Sequence, residues 1–334
     1  SKTTTKHSAL NSEYSTSQAL FASSWEIDIW GKYRRSIESD RAVFLGSIAA
    51  YDDALVTLIA DVASSYMNIR TMEERLNVAA QNVETQKESL RIATAQFNAG
   101  ETTERDMQMA SAQLEQTQAQ IPQIEETLRQ AKNGLALLLG DTSDEIDKIL
   151  SGPSHIPATP ATVTVGIPHD LLRRRPDIRS AGFAAASKSA LIGVAKADLY
   201  PSFSLAGSFG ASGSNAGKSD ALDMFNWQTK AANAGASLVF PIFNYGRLEN
   251  QVRVQDAQFQ EAILNYQNIV LMAAQEVENG LTAFDNQQRV AQHLTSAVKA
   301  AKRSTELAII QYKSGQTDYT TVLNAEQAQL ATED

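Results

Sequence analysis

Apolar residues recur every seven positions from Val62 through Ile69, Leu76, Val83 and Leu90 to Phe97. That spacing predicts one unbroken helix with a coiled-coil-like seam. From Lys32 to Phe97 there is no proline, and Gly46 is the sole interior glycine, so at about 1.5 Å per residue the helix would reach roughly 100 Å. Asn98-Ala99-Gly100 breaks it. A second run, spaced alternately by three and four, follows at Met107, Ala110, Leu114, Thr117, Ile121, Ile124, Leu128, Ala131, Leu135 and Leu138. It predicts a return helix closed by Gly140. Pro122 lies inside the run without disturbing it, and is expected to bend the helix rather than end it. The pair is an antiparallel hairpin, and another is read from Arg247 to Asp334 with its turn at Ser314-Gly315-Gln316.

Other segments alternate with a period of two. Phe203, Leu205, Gly207, Phe209 and Ala211 interleave with Ser202, Ser204, Ala206, Ser208 and Ser212; Ala231 to Phe240 returns after a Ser/Gly-rich loop at Gly213 to Ser219. Near the start, Phe21, Trp25, Ile27 and Ile29 alternate with Ala22, Ser24, Glu26 and Asp28. Such alternation fits an ordinary half-buried strand as well as a barrel strand with lipid on one side and water on the other. Aromatic placement favours the membrane. Trp25, Trp30 and Trp227, with Tyr33, Tyr200 and Tyr245, lie in or beside these segments, as an interfacial girdle requires. Between the hairpins, Ser151 to Pro168 reads as an extended connector, and Pro176-Asp177 opens a shorter helix to about Ala197.

The pattern is a tandem duplication. One offset, 246 − 31 = 215, carries Gly31 onto Gly246, Tyr51 onto Tyr266, Val83 onto Val298, Ser89 onto Ser304, and Gln96 to Gly100 onto Gln311 to Gly315. The same offset places the start of a complete first copy about 40 residues before Ser1 and the end of the second beyond Asp334. The chain is therefore expected to be a fragment, with any export signal or lipid-attachment cysteine in the part upstream.

Composition narrows the chemistry. The 334 residues carry a net charge of −9, which argues against nucleic acid, since phosphate binding needs a basic face. There is no cysteine, hence no disulfide, thiolate site or thiol nucleophile. No apolar run approaches the roughly 18 residues of a membrane helix. His7, His155, His169 and His293 are scattered without helical pairing, so no metal site is expected. No nucleophile elbow or Walker loop is present, and the glycines from Gly207 to Gly217 open no helix. No catalytic constellation and no cofactor are expected.

Strands in a membrane cannot leave their edges open, because each unpaired backbone group in hydrocarbon costs several kcal/mol. Two copies of the unit supply about four strands, too few for a barrel, so the chain must oligomerise. Two chains would make a small filled barrel; three would supply about twelve strands and a lumen. Glycine at Gly31 and Gly246 suits the strand–helix junction.

Four stretches carry a resemblance to a known family: Ser24-Trp25-Glu26-Ile27-Asp28-Ile29-Trp30-Gly31-Lys32; Asp170 to Arg179, with Arg173-Arg174-Arg175-Pro176-Asp177 the most specific part; Ile192 to Ala197 with Tyr200-Pro201-Ser202; and Phe240 to Arg247. Over essentially its whole length the chain resembles the TolC-like outer membrane factors, especially the lipoprotein branch serving resistance-nodulation-division pumps. The resemblance implies a homotrimer in the outer membrane of a Gram-negative bacterium, mainly α with membrane β-strands. Its duplicated strand–long-helix-hairpin unit would build a trimeric α-barrel plus a 12-stranded transmembrane β-barrel. Residues 1–30 and 199–243 would be barrel strands in outer-membrane lipid, 31–140 and 244–334 periplasmic hairpins, and 141–198 an equatorial connector and helix. Partners would be a periplasmic adaptor protein and an inner-membrane transporter of resistance-nodulation-division type, the product being a passive efflux conduit for drugs or other small molecules. A periplasmic adaptor or coiled-coil scaffold is the chief alternative, but an adaptor has one hairpin where this chain has two. A soluble helical-repeat enzyme would need convergent polar groups that are not found.

In that family the hairpin turns meet the adaptor, which makes Gly100, Thr102, Thr103, Gly315, Thr317 and Asp318 docking candidates; helix breaking alone also accounts for Gly100 and Gly315. The family often places aspartates just inside the second turn to narrow the aperture. Here those positions are Thr321 and Asn324, while Asp106 holds the equivalent place in the first copy. A gate with one acidic ring, from Asp106, is expected. Arg173, Arg174 and Arg175 could bind an anion, but are expected to position the helix opened by Pro176 and Asp177 against acidic equatorial groups.

Overall fold

The computed structural model describes residues 16–152, 155–158, 174–214 and 225–334. Arg173, His7, His169 and most of the connector and of the Ser/Gly-rich loop lie outside the described residues. The elements are β1 (Thr16–Ile27), α1 (Lys32–Asn98), α2 (Glu104–Leu139), α3 (Ser143–Ile149), α4 (Pro176–Ala197), β2 (Ser202–Ser214), a 3-10 turn at Trp227–Thr229, β3 (Lys230–Val239), α5 (Arg247–Lys313) and α6 (Tyr319–Glu333). The duplication holds to the residue. Helices α1 and α5 are each 67 residues long, and α1 and α2 begin 215 positions before α5 and α6 (247 − 32 and 319 − 104).

The chain divides into two compact units, Ser1–Ala49 with Asp177–Ile269 and Ala50–Pro176 with Val270–Asp334. In the first, the strands form one antiparallel sheet ordered β1-β2-β3. Register gives it two unlike faces. Phe21, Trp25 and Ile27 stand opposite Phe209, Leu205 and Phe203, and Phe203 and Leu205 stand opposite Leu238 and Ala236, so all share one side. The other side pairs Gln18 with Ser212, Ser24 with Ala206 and Glu26 with Ser204, and joins Ser204 to Ser237 by a hydroxyl hydrogen bond of 2.7 Å. Helix α4 packs on the first turns of α1 and α5 through small residues. Ala42, Ala49, Ala181 and Ala185 are buried, Ser39 and Ser187 share a hydrogen bond of 2.8 Å, and Lys188 donates to Gln258 at 3.3 Å.

In the second unit the seven-residue seam is inward throughout: Ile69 and Val83 are buried, and Val62, Leu76, Leu90 and Phe97 half-buried. Helix α2 runs unbroken through Pro122. Helix α3, about two turns just beyond Gly140, does not show in the apolar pattern. Its signals are local: Asp144 and Glu145 in the first turn and Lys148 in the last match the helix dipole. Tertiary packing secures it, since Ile146 and Leu150 are buried with Ile69, Leu135 and Ala136. Arg70, 3% exposed, donates to Glu73 at 2.6 Å, to the Tyr66 hydroxyl at 3.2 Å and to the Leu150 carbonyl at 3.3 Å.

One expectation is corrected. Helix α1 contains an 18-residue window of mean hydropathy 1.6, long and apolar enough to cross a membrane, with 11% of it buried. Bulky apolar residues on either side of Asp52-Asp53 carry that hydropathy, and the two aspartates keep them from forming one unbroken apolar run. Val43, Phe44, Ile48, Leu55, Val56 and Ile59 are all exposed along α1.

Candidate functional site

The strand–helix junctions need residues with left-handed backbone. Gly31 has φ +80° and Gly246 +75°, the region that costs an L side chain about 1–2 kcal/mol. Just before Gly31, Asp28 accepts hydrogen bonds from the Tyr33 N–H at 3.2 Å and the Arg34 N–H at 3.0 Å, and pairs with the Arg34 guanidinium at 3.2 Å. These groups cap the free N–H donors of α1. Trp30 stacks on Tyr200 with ring centroids 4.5 Å apart and donates to the Pro201 carbonyl at 2.8 Å. Trp25, Trp30, Tyr200 and Tyr245 are all exposed.

Of the arginine run, Arg174 is exposed, and Arg175 forms a 2.7 Å ion pair with Glu276 of α5. Pro176 opens α4, with Asp177 in its first turn.

At the hairpin turns, the Gly100 N–H donates to Phe97 at 3.0 Å and the Glu101 N–H to Gln96 at 2.9 Å; Gly315 donates to Tyr312 at 3.0 Å and Gln316 to Gln311 at 2.9 Å. Both are Schellman closures, and φ of +77° and +71° explains why both carry glycine. The turns then diverge. Asp318 accepts from the Thr321 N–H at 3.2 Å and hydroxyl at 3.1 Å, and the Thr317 hydroxyl donates to Thr321 at 2.8 Å. Thr103 makes no such cap; instead the Thr102 hydroxyl donates to the Asp106 carboxylate. Gly100, Thr103, Gly315, Asp318, Thr321 and Asn324 are exposed, whereas Thr102, Thr317 and Asp106 are half-buried.

Behind the turns the two hairpins share one core: Ile92 and Ala93 of α1, Ala110 of α2, Ala308 and Tyr312 of α5, Tyr319 and Val322 of α6. Tyr312 and Tyr319 meet edge to face, with centroids 5.4 Å apart, and the Gln96 amide donates to the Tyr312 carbonyl at 2.9 Å. The Tyr312 hydroxyl is buried beside Thr102 without a well-formed hydrogen bond, and burial followed by the charge of Asp106 raises its pKa. Burial, then the neighbouring Glu326, pushes Tyr319 well up. Glu326 is itself 3% exposed. Its Oε1 accepts from the Ser89 hydroxyl at 2.6 Å, and burial raises its carboxyl above the ordinary value. Further along α6 the contacts are polar: Asn82 donates to Glu333 at 2.8 Å, Gln327 to Gln113 at 3.3 Å, and Lys302 pairs with Glu333 at 3.0 Å. The turns therefore combine an exposed rim with a buried polar core, and sequence reasoning found the rim but missed Ser89, Tyr312, Tyr319 and Glu326. A signal existed: Glu326 follows Tyr319 by seven and Val322 by four, which puts a carboxylate on a buried stripe.

The family model described as outer membrane efflux protein matches residues 1–141 and 167–334. The chain belongs to that family, and membership places it in the outer membrane. It is 31% identical over 94% of its length to the Nodulation protein T of Rhizobium leguminosarum bv. trifolii, covering 66% of that protein. It is 29% identical over 95% of its length to the pyoverdine export outer membrane protein OpmQ of Pseudomonas aeruginosa, covering 65%. The chain thus spans a little under two thirds of these curated relatives. A solved structure of the outer-membrane channel OprN superposes with a TM-score of 0.86 at 29% identity, over 96% of this chain and 76% of that one.

Proposed function

We propose that the chain forms the wall of a passive export conduit. Three copies associate as a homotrimer; residues 1–30 and 199–243 contribute to a 12-stranded barrel in outer-membrane lipid. The hairpins 31–140 and 244–334 form an α-barrel through the periplasm, and 141–198 an equatorial belt. The observation that carries this is the sheet: one aromatic face, one serine-lined face, and outer strands β1 and β3 paired on one side only among the described residues. Such a sheet suits lipid on one side and water on the other, but is stable there only when closed by further copies. The exposed apolar residues of α1 would be covered by the neighbouring protomers.

The rim of Gly100, Thr102, Thr103, Gly315, Thr317 and Asp318 docks a periplasmic adaptor, and an inner-membrane transporter of resistance-nodulation-division type supplies the energy and selects the small molecules carried. Asp106 supplies one acidic ring at the aperture, with Thr321 and Asn324 in the matching second-copy places, and Thr102 holds its carboxylate in the turn. The test is the full-length protein extracted in detergent. A heat-labile trimer that conducts in planar bilayers, with divalent-cation block weakened in Asp106→Ala, is expected; a soluble monomer without conductance overturns the conduit, and unchanged block overturns the gate.

A further inference from the structure

Glu326 is 3% exposed, and among the described residues no counter-charge pairs with it. It lies on the stripe of α6 that carries Tyr319 and Val322 into the shared core. From α1 it meets Ser89; the flanking Glu88 and Arg91 pair with each other at 2.6 Å on the exposed side. From α5 come Ala308, Tyr312 and Thr305, whose hydroxyl donates to the Ala325 carbonyl at 3.1 Å. Lys302 is taken by Glu333, and Glu306 pairs with Arg303 at 2.8 Å. From α2, Ala110 and Gln113 are buried and uncharged, and Asp106 lies toward Tyr312. Among the described residues no cation is paired with Glu326, and only burial, Ser89 and Tyr319 act on its ionisation.

The hydrogen bonding is incomplete in one particular way. Glu326 Oε2 is buried with no partner, and so is Gln86 Oε1, one turn before Ser89 on α1. Both are acceptors. Unmade hydrogen bonds in a buried site are costly, and a proton on the carboxyl adds a donor to those the Ser89 and Tyr319 hydroxyls already supply.

We propose that Glu326 is a proton-operated latch on the seam between α1 and α6: the neutral acid holds the two hairpins together, and loss of the proton loosens α6. The loosening is a property of the chain; its effect on an aperture rests on the conduit reading. The direction follows from burial, which raises the carboxyl above its ordinary 4.5. The packed seam binds the proton more tightly than the opened one, so the latch is at full strength below that ordinary value and is lost as pH rises through the raised one.

Amide hydrogen exchange of the full-length protein, corrected for intrinsic rates between about pH 5 and about pH 8, reads the latch directly. Protection of Tyr319–Glu333 should fall with rising pH, about tenfold for each unit by which packing raises the carboxyl. Glu326→Gln should keep its protection at every pH. Ser89→Ala removes a hydrogen bond that favours the ionised form, so the fall should move to higher pH. A flat profile in the native chain, or an unchanged slope in E326Q, overturns the latch. Single-channel recording on the same proteins keeps the two readings apart. A conducting pore with a flat exchange profile sinks the latch alone, whereas the expected exchange profile without conductance sinks the conduit and leaves the latch standing.

Discussion

Ile69→Ala tests what holds α3 to the first hairpin. Ile69 is completely buried, and its neighbours Leu135, Ala136, Ile146 and Leu150 come from α2 and from α3 with its C-cap. The change deletes three carbons, at about 0.8 kcal/mol each for transfer, and the cavity left behind brings the usual total to about 2–5 kcal/mol. A helix of seven residues has almost no stability of its own, so the loss should appear first there. At about 1.4 kcal/mol per factor of ten, amide protection across Ser143–Leu150 should drop at least roughly 30-fold. Ile69→Val, which leaves a far smaller void, should cost only about 0.5–1.5 kcal/mol, or up to roughly tenfold. Hydrogen exchange on the intact protein, with the turn segments as internal reference, makes the comparison. A change under about threefold in Ser143–Leu150 would show that polar ties such as Arg70 to the Leu150 carbonyl, rather than the apolar contact, keep α3 in place.

The sheet makes a face-specific prediction: Phe209→Arg, on the aromatic side, should cost about 2–4 kcal/mol and block membrane assembly, while Ser208→Arg, on the serine side, should assemble and change conductance; equal behaviour of the two would refute the assigned faces. Gly100→Ala and Gly315→Ala should each destabilise their turn by about 1–2 kcal/mol through backbone strain alone, because an added Cβ meets nothing within 4 Å at either site; local exchange rates at the turns check this. The Asp147 carboxyl is held low chiefly by its hydrogen bond from Lys132, with Arg129 adding to it. Its tie to α2 should therefore persist above the ordinary value of 3.8 and fail only as pH falls through the lowered one, a loss that Asp147→Asn should abolish when exchange in α3 is followed toward acid pH.

Much of the fold was legible because it is periodic. Seven-residue spacing in α1, three-and-four spacing in α2 and twofold alternation in β2 each correspond to one buried or one shared face, and the constant offset reproduced both helix starts. What was not legible depends on contacts distant in sequence. Helix α3 is too short to show a period and is fixed by Ile69, some 80 residues earlier. The apolar character of α1 lies in two clusters of bulky residues, around Phe44 and around Val56, which Asp52-Asp53 separates so that neither looks long enough by itself. At the turns, spacing located Asp106 and Thr321 as equivalents, yet nothing local says that Asp106 bonds to Thr102 while Thr321 caps with Asp318. Glu326 did not stand out in the sequence, because its burial is created by Ser89 and Tyr319 closing over it from another helix and another turn.

Among the described residues β1 and β3 pair on one side only, and for the proposed trimer this bears on biogenesis. A solitary copy offers bare backbone donors and acceptors along a greasy ribbon, a state tolerated neither by hydrocarbon nor for long by water, where such ribbons stick to one another. In the proposed trimer, subunits would find their mates before or while they enter the bilayer. Overproduction that outruns this pairing should yield insoluble deposits rather than surplus single-subunit material lodged in the envelope.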